Sequence, residues 1–400
     1  MRKLTTSDIE GLGESTRMVV AGRHPDEHFG FVNPPVVHGS TVLSPTMADL
    51  TGHTGRYSYG RRGSPTMGAL EEALMALEGK ESAGVVLCPS GLAAVSTALL
   101  SCLKAGDHLL MTDSVYGPTR NFCDGVLRRF GVETTYYDPQ VGADIAQFLK
   151  SNTRAVFTES PGSQSFEMQD IPAIAAVAHA HGALVLTDNT WATPLFYAAH
   201  AHGADIAIQA ATKYLGGHSD VMSGAVSANA AAWPALKRTW GDLGVTVAPD
   251  DVFLVLRGLR TLPLRMARHH EAGLEMARWL SGHPEVQRVL HPALPSDPGH
   301  ALFLRDYRGA SGLFSIVLQP GPEEAVAALL DGLALFGMGY SWGGFESLAI
   351  PFDCAPLRTA TQWAPGGPTL RLHIGLEDLD DLKADLGQGL ERFAAARGRA

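Results

Sequence analysis

The amino-acid sequence predicts an α/β fold: a mainly parallel central sheet with helices on both faces, plus a smaller C-terminal α+β domain. Residues 83–213 alternate apolar strands with helical stretches, which is typical of a parallel sheet covered by helices. Residues 251–280 have a continuous helical pattern, and the strands and helices after them are less regularly spaced. We therefore expect residues 61–260 to form the large domain and residues 261–400 the small one.

The first 60 residues show little periodicity and contain Asn33-Pro34-Pro35. An irregular arm of this length needs a surface on which to lie, either the main domain or another subunit. Pro65 then begins a helix over 66–78, which Gly79 ends.

Apolar runs and turn residues predict the later elements. The predicted strands of the large domain are 83–88, 108–112, 155–159, 183–188 and 205–209, with helices over 92–103 and from Pro172 to Gly182. Beyond them we expect one long helix over 251–280, strand 312–318, helix 322–335, strand 369–374 and a final helix over 378–396.

Composition excludes several classes of protein. Of the 400 residues, 45% are apolar and 18% charged, enough for a large core, and a net charge of −10 argues against nucleic-acid binding. We find no signal peptide and no membrane helix. The four cysteines lack CxxC spacing, which is typical of a reduced, cytoplasmic protein. No HExxH motif occurs, so no metal site is predicted.

Lys213 lies just past the predicted strand 205–209 and is followed by Gly216-Gly217. A lysine desolvated at such a strand end has a lowered pKa, which makes it a nucleophilic amine that forms Schiff bases. The alternative is a lysine whose ammonium group extends from the strand end into water.

Further polar residues also follow predicted strand ends. They are Ser90, Gly91, Tyr116, Ser163 and Asp188. Because ligands bind at the carboxyl ends of parallel strands, we expect these residues to meet Lys213 on one rim. Asp188 either pairs with a protonated ring nitrogen, as pyridoxal phosphate (PLP) requires, or caps the helix after Thr190.

Three more features have two interpretations each. The Ser90-Gly91 turn and the Thr212 hydroxyl suit a phosphate, although the turn alone is weak support. Tyr116 either stacks on a planar cofactor or fills the core. Arg371 alternates with apolar residues and, with His373, points away from the apolar face, so it either binds a carboxylate or forms a solvent-facing salt bridge.

Taken together, five motifs resemble the Cys/Met-metabolism family of PLP enzymes, which has fold type I. They are Tyr59-Gly60-Arg61-Arg62-Gly63, Gln209-Ala210-Ala211-Thr212-Lys213-Tyr214, Gly217-His218-Ser219-Asp220, Tyr340-Ser341-Trp342-Gly343-Gly344 and Arg371-Leu372-His373-Ile374-Gly375-Leu376. The resemblance spans Asn33 to Asp378 and is strongest to the bacterial β-lyase branch, because Ala210 and Ser163 replace the Ser and Asn of many relatives.

The resemblance implies a role for each matching residue. Lys213 would carry the cofactor and act with Tyr116 in catalysis, Asp188 would pair with the ring nitrogen, and Tyr116 would stack on the ring. The phosphate would be held by Ser90, Gly91, Leu92 and Thr212, and by Tyr59 and Arg61 of a neighbouring subunit. The substrate would be held by Arg371, Ser341 and Trp342.

The implied function is a PLP-dependent carbon–sulfur β-lyase that converts cystathionine, and cystine-like substrates as well, to a thiol, pyruvate and ammonia. The implied assembly is a homotetramer with active sites shared between subunits. Three alternatives stay open: a γ-acting relative, a non-catalytic PLP-binding protein, and a lysine-dependent aldolase without a cofactor.

Overall fold

The computed structural model describes residues 4, 5, 8, 9 and 11–398. Residues 1–3, 6, 7, 10, 399 and 400, which include part of the predicted arm and of the C-terminal tail, lie outside the described residues. The described chain forms one sheet of seven strands and one of four. Within that part, no helix is long and apolar enough to cross a membrane.

The seven-stranded sheet contains every strand predicted between residues 83 and 213. Its members are β1 (Gly84–Cys88), β2 (His108–Thr112), β3 (Glu133–Tyr137), β4 (Thr153–Glu159), β5 (Leu184–Asp188), β6 (Ile206–Gln209) and β7 (Gly224–Ala228). Their spatial order is β1-β7-β6-β5-β4-β2-β3, and only β7 runs antiparallel to its neighbours. The predicted α/β fold with a mainly parallel sheet is confirmed.

The sequence pattern does not predict β3 and β7. The first is a partly exposed edge strand of polar and aromatic residues. The second, Gly-Ala-Val-Ser-Ala, has only one β-branched residue and is fully buried, so tertiary pairing rather than intrinsic preference forms it.

Helices connect these strands and pack around them. They are α1 (Glu14–Val20), α2 (Met47–Gly52), α3 (Pro65–Glu78), α4 (Gly91–Cys102), α5 (Gly117–Phe122), α6 (Ile171–His181), α7 (Thr193–Phe196), α8 (Trp233–Asp242), α9 (Pro249–Leu259) and α10 (Leu262–Ser281). The side chains of Ser64, Ser90 and Asp170 accept hydrogen bonds at the starts of α3, α4 and α6, as good N-caps do.

The expectation of one long helix over 251–280 is wrong. The chain forms α9 and α10, with a break at Arg260-Thr261. Pro263 supplies the physical reason, because it cannot donate a backbone hydrogen bond and fits only the first turn of a helix. Arg260 donates to the carbonyl oxygens of Met18 and Ala21, both at 2.7 Å.

The four-stranded sheet is antiparallel throughout. Its strands are β8 (Val286–Leu290), β9 (Leu313–Leu318), β10 (Leu348–Phe352) and β11 (Thr369–His373), in the order β10-β11-β9-β8. The remaining helices are α11 (His300–Asp306), α12 (Glu323–Leu330) and α13 (Leu379–Arg397). The predicted helix over 322–335 is thus shorter than expected, whereas the smaller α+β region is confirmed. The domain division between residues 260 and 261 stays a prediction.

The described part of the N-terminal arm exposes large apolar side chains. Phe29 is fully exposed, and Leu43 and Met47 are more than three-quarters exposed. Surface of this kind is typical of a segment that contacts another protein surface.

All four cysteines are free thiols, and Cys88, Cys123 and Cys354 are buried. Loss of hydration raises the pKa of each of the four thiols to about 12, including that of Cys102, which keeps some exposed surface. They therefore behave as small apolar groups within the protein.

Candidate active site

The carboxyl ends of the parallel strands bring the predicted residues to one rim of the large sheet. Glu159 and Asp188, the last residues of β4 and β5, are direct neighbours in register. The next strand, β6, ends at Gln209, and Lys213 follows in the turn beyond it. Asp188 and Lys213, two of the residues predicted to meet, therefore lie at the same end of neighbouring strands.

Lys213 points its amine across the rim toward the small sheet. Its Nζ donates a hydrogen bond to Ser341 Oγ at 2.6 Å and lies 5.3 Å from the centre of the Trp342 ring. Although part of the side chain is exposed, loss of hydration and, to a smaller extent, the nearby Arg371 cation together lower the pKa of Lys213 to about 8, while the Asp188 carboxylate opposes the shift. The amine is therefore partly neutral near physiological pH and is not simply extended into water.

Asp188 does not cap a helix. Its Oδ1 accepts hydrogen bonds from the backbone N–H of Thr190 at 3.0 Å and from the Thr190 hydroxyl at 2.6 Å. The following helix α7 has no side-chain cap. Burial raises the pKa of Asp188, although the bonds from Thr190 and the charge of Lys213 oppose the rise. Asp188 and Lys213 are thus close enough to influence each other's ionisation.

Tyr116 lies at the open rim, not in the core, with 46% of its surface exposed. Its backbone N–H donates to Glu159 Oε2 at 2.8 Å, which fixes the start of α5 against β4. Loss of hydration raises the pKa of the Tyr116 phenol, as do the carboxyl groups of Glu159 and Asp188. The phenol therefore keeps its proton at neutral pH.

The small sheet supplies Arg371 from β11, and this residue is only 8% exposed. Its Nη2 donates to the carbonyl oxygen of Ser341 at 3.0 Å. Burial lowers the pKa of Arg371 to about 10, so it remains a cation at neutral pH. Among the residues that the structure describes, no carboxylate forms a salt bridge with it, and the solvent-facing alternative is wrong. Its remaining N–H groups can bind a carboxylate.

A buried layer supports the loop that carries Ser341 and Trp342. The ring of Tyr214, next to Lys213, lies 5.4 Å from the Trp342 ring and 5.9 Å from His373. The backbone N–H of Gly343 donates to His373 Nε2 at 3.2 Å. His373 is 1% exposed, so the expectation that it points away from the apolar interior is wrong.

The Ser90-Gly91 turn lies against the strand that leads to Lys213. Ser90 Oγ accepts from the backbone N–H of Ala93, and a Cβ on Gly91 would come within 2.6 Å of Ala210 Cβ. Glycine therefore lets the N-terminus of α4 approach the end of β6. Leu92, which follows, is 39% exposed. The free N–H groups of this 12-residue helix suit a phosphate.

Thr212 has partners of its own within the chain. Its hydroxyl donates to the carbonyl oxygen of Ser223 and accepts from the backbone N–H of Ser223, both at 3.0 Å. To donate to a phosphate, this hydroxyl has to turn away from the Ser223 carbonyl.

Within a single chain, the contacts of Tyr59 and Arg61 are with residues other than those of the predicted phosphate site. Arg61 Nη1 donates to the carbonyl oxygen of Gly241 at 2.8 Å, and Tyr59 pairs with Thr41 in an isolated bridge. Across the described part of the chain, no hydrogen bond joins either residue to Lys213 or Ser90. Their predicted role at a neighbour's site stays a prediction.

The sequence of the chain matches a family model described as Cys/Met metabolism PLP-dependent enzyme over residues 15–391. The chain belongs to this family. The prediction that it is a PLP-dependent enzyme, made from the motifs around Lys213 and Arg371, is therefore confirmed.

Individual relatives agree with the family assignment. A Rhizobium johnstonii protein provisionally named cystathionine β-lyase is 55% identical over 392 residues, covering 97% of this chain and 98% of its own length. The Escherichia coli cystathionine β-lyase MetC is 44% identical over 389 residues, covering 94% and 98% of the two chains.

A solved structure shows the same fold. The cystathionine γ-synthase of Xanthomonas oryzae, in complex with aminoacrylate and cysteine, superposes with a TM-score of 0.88 at 35% identity, covering 96% of this chain and 99% of that one. Fold type I is therefore confirmed. The named β-lyases are more similar in sequence than this γ-acting enzyme, in line with the predicted lyase.

Two residues that hold predicted site residues in place were not predicted from the sequence. Glu159 binds the Tyr116 backbone and Thr190 binds Asp188. Glu159 could have been found by the same signal as Asp188, because both carboxylates end apolar strands. Thr190 follows Asp188 by two residues, the usual spacing of a local side-chain turn.

Proposed function

We propose that this chain is a PLP-dependent carbon–sulfur β-lyase that cleaves cystathionine to homocysteine, pyruvate and ammonia and accepts cystine-like substrates as well. The observation that carries the proposal is the Lys213 amine, partly neutral and set between Ser341 and Trp342 within reach of Asp188 and Arg371. The names of relatives at 44–55% identity support the choice of reaction.

The rim residues fit PLP. Gly91 lets the N-terminus of α4 lie close to the end of β6 and to the turn that carries Lys213. The free N–H groups there would bind the phosphate, and Ser90, Leu92 and Thr212 would also contribute. A carboxylate that faces Lys213 suits a protonated ring nitrogen, the role proposed for Asp188. Tyr116 would stack on the ring from the open side. Bound there, PLP supplies an electron sink that makes the Cα proton of an amino acid acidic.

Arg371 would bind the substrate α-carboxylate. One of its nitrogens is held by the Ser341 carbonyl, which orients the guanidinium, and the others can pair with two carboxylate oxygens. The Ser341 backbone would complete this site, and the Trp342 ring would line the pocket for the substrate side chain.

Lys213 would move the proton. In its neutral form the amine takes the proton from Cα, and the resulting ammonium then donates it to the departing sulfur, so the same nitrogen acts first as base and then as acid. Tyr116 remains a phenol and can donate a hydrogen bond but not remove a proton. Overall, one carbon–sulfur bond of cystathionine breaks and one water is taken up, and the products are homocysteine, pyruvate and ammonia.

Product analysis with cystathionine tests the proposal and separates it from the γ-acting alternative. β-Elimination yields pyruvate, whereas γ-elimination yields 2-oxobutyrate and needs a further proton removal at Cβ. We expect pyruvate and homocysteine in equal amounts. Detection of 2-oxobutyrate as the main product would overturn the β-lyase proposal. A protein that binds PLP and forms no product would support the non-catalytic alternative.

The proposed assembly is a homotetramer, a dimer of dimers, in which Tyr59 and Arg61 of one subunit reach the phosphate of its neighbour. The exposed apolar side chains of the arm support this arrangement. We propose a cytoplasmic location for the enzyme, since its thiols are free.

Mixing two inactive variants tests the shared site. The Lys213→Ala variant lacks the amine but has an intact Arg61 in its N-terminal arm. The Arg61→Ala variant has an intact Lys213 but lacks the guanidinium of the arm. Unfolding and refolding them together should restore activity, because one hybrid site combines an intact Lys213 with an intact Arg61. Refolding each variant alone is the control. No recovery in a mixture that light scattering shows to be tetrameric would contradict the shared site.

A further inference from the structure

A segment of the small sheet reaches back to the rim that carries Tyr116. Residues 353–361 leave β10 and lie beside the end of β2, where Asp113 accepts a set of hydrogen bonds from them. The donors are the backbone N–H groups of Thr359 at 3.0 Å, Ala360 at 3.1 Å and Thr361 at 2.8 Å, and the hydroxyls of Thr359 at 3.3 Å and Thr361 at 2.7 Å. One carboxylate thus holds three successive residues.

Arg120 completes this cluster, which we call the Asp113 clasp: Asp113, Arg120 and residues 359–361. Its Nη2 donates to Asp113 Oδ1 at 2.6 Å, its Nη1 donates to Thr359 Oγ1 at 3.2 Å, and its guanidinium lies 3.5 Å from the centre of the Tyr136 ring. The side chain of Asp113 is 0% exposed and that of Arg120 is 5% exposed. Both charges are therefore paired inside the protein.

The carboxyl group of Asp113 stays ionised in this setting. Burial alone would raise its pKa, but the hydrogen bonds from Thr359, Thr361 and Arg120 outweigh burial and lower it. A carboxylate with so many donors is strongly fixed in place.

The same segment is attached to the rim at two further points. Arg358 Nη2 donates to Ser165 Oγ at 2.6 Å and to both carboxylate oxygens of Glu167 at 3.0 Å, and its side chain is only 3% exposed. Leu357 packs beside Gly117, where an added Cβ would lie 3.3 Å from Leu357 Cδ1. These contacts lie in the segments after β2 and β4, which are neighbouring strands, and the segment after β2 is the one that carries Tyr116.

The segment also leads to the strand of Arg371. It joins β10 to β11, and Ile350 of β10 is the register partner of Arg371. A fixed segment therefore connects the guanidinium of the small sheet to the rim of the large sheet.

We propose that Asp113 is a positioning residue, which through the clasp holds Arg371 at a fixed place relative to Tyr116 and Lys213. The proposal rests on the proposed function only in taking Arg371 to bind the α-carboxylate of an amino acid. Asp113 itself touches neither substrate nor cofactor. Its effect on binding is indirect, through the placement of β11.

Trypsin cleavage after Arg358 measures whether the clasp is closed. Asp113→Asn replaces one acceptor oxygen by an amide that faces backbone N–H donors, so the segment should detach. We expect the holoenzyme variant to be cut at Arg358–Thr359 about tenfold faster or more than the wild type, since hydrogen bonds to charged groups are the strong ones. Mass spectrometry identifies the fragment that begins at Thr359.

Asp205→Asn is the matched control. Asp205 is also a buried carboxylate with backbone and side-chain donors, from Val185, Asn229 and His179. It directly precedes β6, so it lies at the amino end of that strand and not at the rim formed by the carboxyl ends. The Asp205→Asn substitution should lower the stability of the protein about as much as Asp113→Asn does, but it should leave the rate of cleavage after Arg358 unchanged. An unaltered rate in Asp113→Asn would overturn the proposal.

Glycine binding measures the placement of Arg371 without any carbon–sulfur cleavage. Glycine has an amine and a carboxylate but no leaving group, and its Kd follows from the change in cofactor absorption. We expect Asp113→Asn to raise this Kd about tenfold and Asp205→Asn to leave it unchanged. A detached segment with an unchanged Kd would overturn the positioning role. Failure of the wild type to cleave cystathionine would contradict only the proposed reaction.

A milder variant covers the case in which Asp113→Asn does not fold. Thr361→Val removes the hydroxyl donor at 2.7 Å and keeps the backbone N–H, so the clasp is weakened rather than broken. We expect smaller increases in both cleavage rate and Kd. If neither quantity changes in this variant, the clasp does not position Arg371.

Discussion

The two sheets contribute to the candidate site in different ways. The large sheet presents Asp188 at the end of a strand, and Lys213 and Tyr116 just beyond strand ends. All three keep some exposed surface, and loss of hydration, with smaller contributions from charged neighbours, shifts their pKa values. The small sheet presents Arg371 from within a buried strand. The group proposed to transfer protons, Lys213, thus comes from the open rim, whereas the group that keeps its charge, Arg371, comes from a buried strand.

Removing the amine of the large sheet should have the largest effect. Lys213→Ala abolishes the base and acid proposed for the reaction, and we expect pyruvate formation to fall by about 10²–10⁴-fold or more. Borohydride reduction of the wild type should leave a pyridoxyl group on Lys213, which mass spectrometry detects. Lys213→Arg is the control for charge, because it stays protonated and should be equally inactive. Substantial pyruvate release by Lys213→Ala would contradict the assignment.

Changing the guanidinium of the small sheet should affect binding more than turnover. Arg371→Ala removes the hydrogen bonds between the guanidinium and the substrate carboxylate, and hydrogen bonds to charged groups contribute about 1.5–3 kcal/mol. We therefore expect KM to rise by about 10–150-fold, with a smaller change in kcat. Steady-state kinetics with cystathionine measure both constants. Arg371→Lys keeps a charge but not the bidentate geometry and should fall between the wild type and Arg371→Ala. An unchanged KM in Arg371→Ala would show that the carboxylate binds elsewhere.

Disturbing the contact between the two regions should have a smaller effect. Gly343 has a φ of +86°, and an added Cβ would lie 2.9 Å from Tyr214 N and 3.0 Å from the carbonyl carbon of Lys213. We expect Gly343→Ala to lower the free energy of unfolding by about 1–3 kcal/mol and to reduce cofactor loading. Chemical unfolding and absorption spectra measure the two effects.

Gly339→Ala is the control for this substitution. Its added Cβ would meet only Leu348 Cδ2, at 3.9 Å, and no left-handed backbone is required there. If both variants have the stability and cofactor content of the wild type, the close approach of Gly343 to Lys213 is not needed.

The smallest effect expected is a shift in the pH dependence of cofactor capture. The pKa of Lys213 is lowered to about 8 by burial and then by Arg371, so the neutral amine increases as pH rises through that value. The rate at which the cofactor-free protein takes up PLP should rise over the same range. In Arg371→Ala the pKa of Lys213 should be higher, and the curve should move to higher pH. Stopped-flow absorption measures both curves, and coincident midpoints would contradict the coupling.

The contrast between the sheets also explains what the sequence could predict. Strand ends, caps and glycine turns are local, so Lys213, Asp188 and the Ser90-Gly91 turn could be located from apolar runs and spacing alone. Arg371 and His373 alternate with apolar residues, which suggests an exposed face, but the second face of β11 is also covered. Burial on both sides of a strand depends on packing that a local pattern does not contain.

Contacts between distant parts of the chain could not be predicted at all. Asp113 and Thr359 are 246 positions apart, and nothing local marks Thr359 as a donor to that carboxylate. The break before α10 is a different case. Proline is tolerated in the first turn of a helix but not in its interior, so Pro263 in the sequence was enough to predict that a new helix begins there.

The four inert thiols have a consequence for chemistry that the enzyme itself would generate. An enzyme that releases homocysteine, or persulfides from cystine-like substrates, works in the presence of sulfur nucleophiles and their oxidised forms. Exchange with these compounds requires a protein thiolate, and a pKa of about 12 leaves almost none at neutral pH. The protein is thus protected against forming mixed disulfides with its own product, and turnover should not depend on an added reductant.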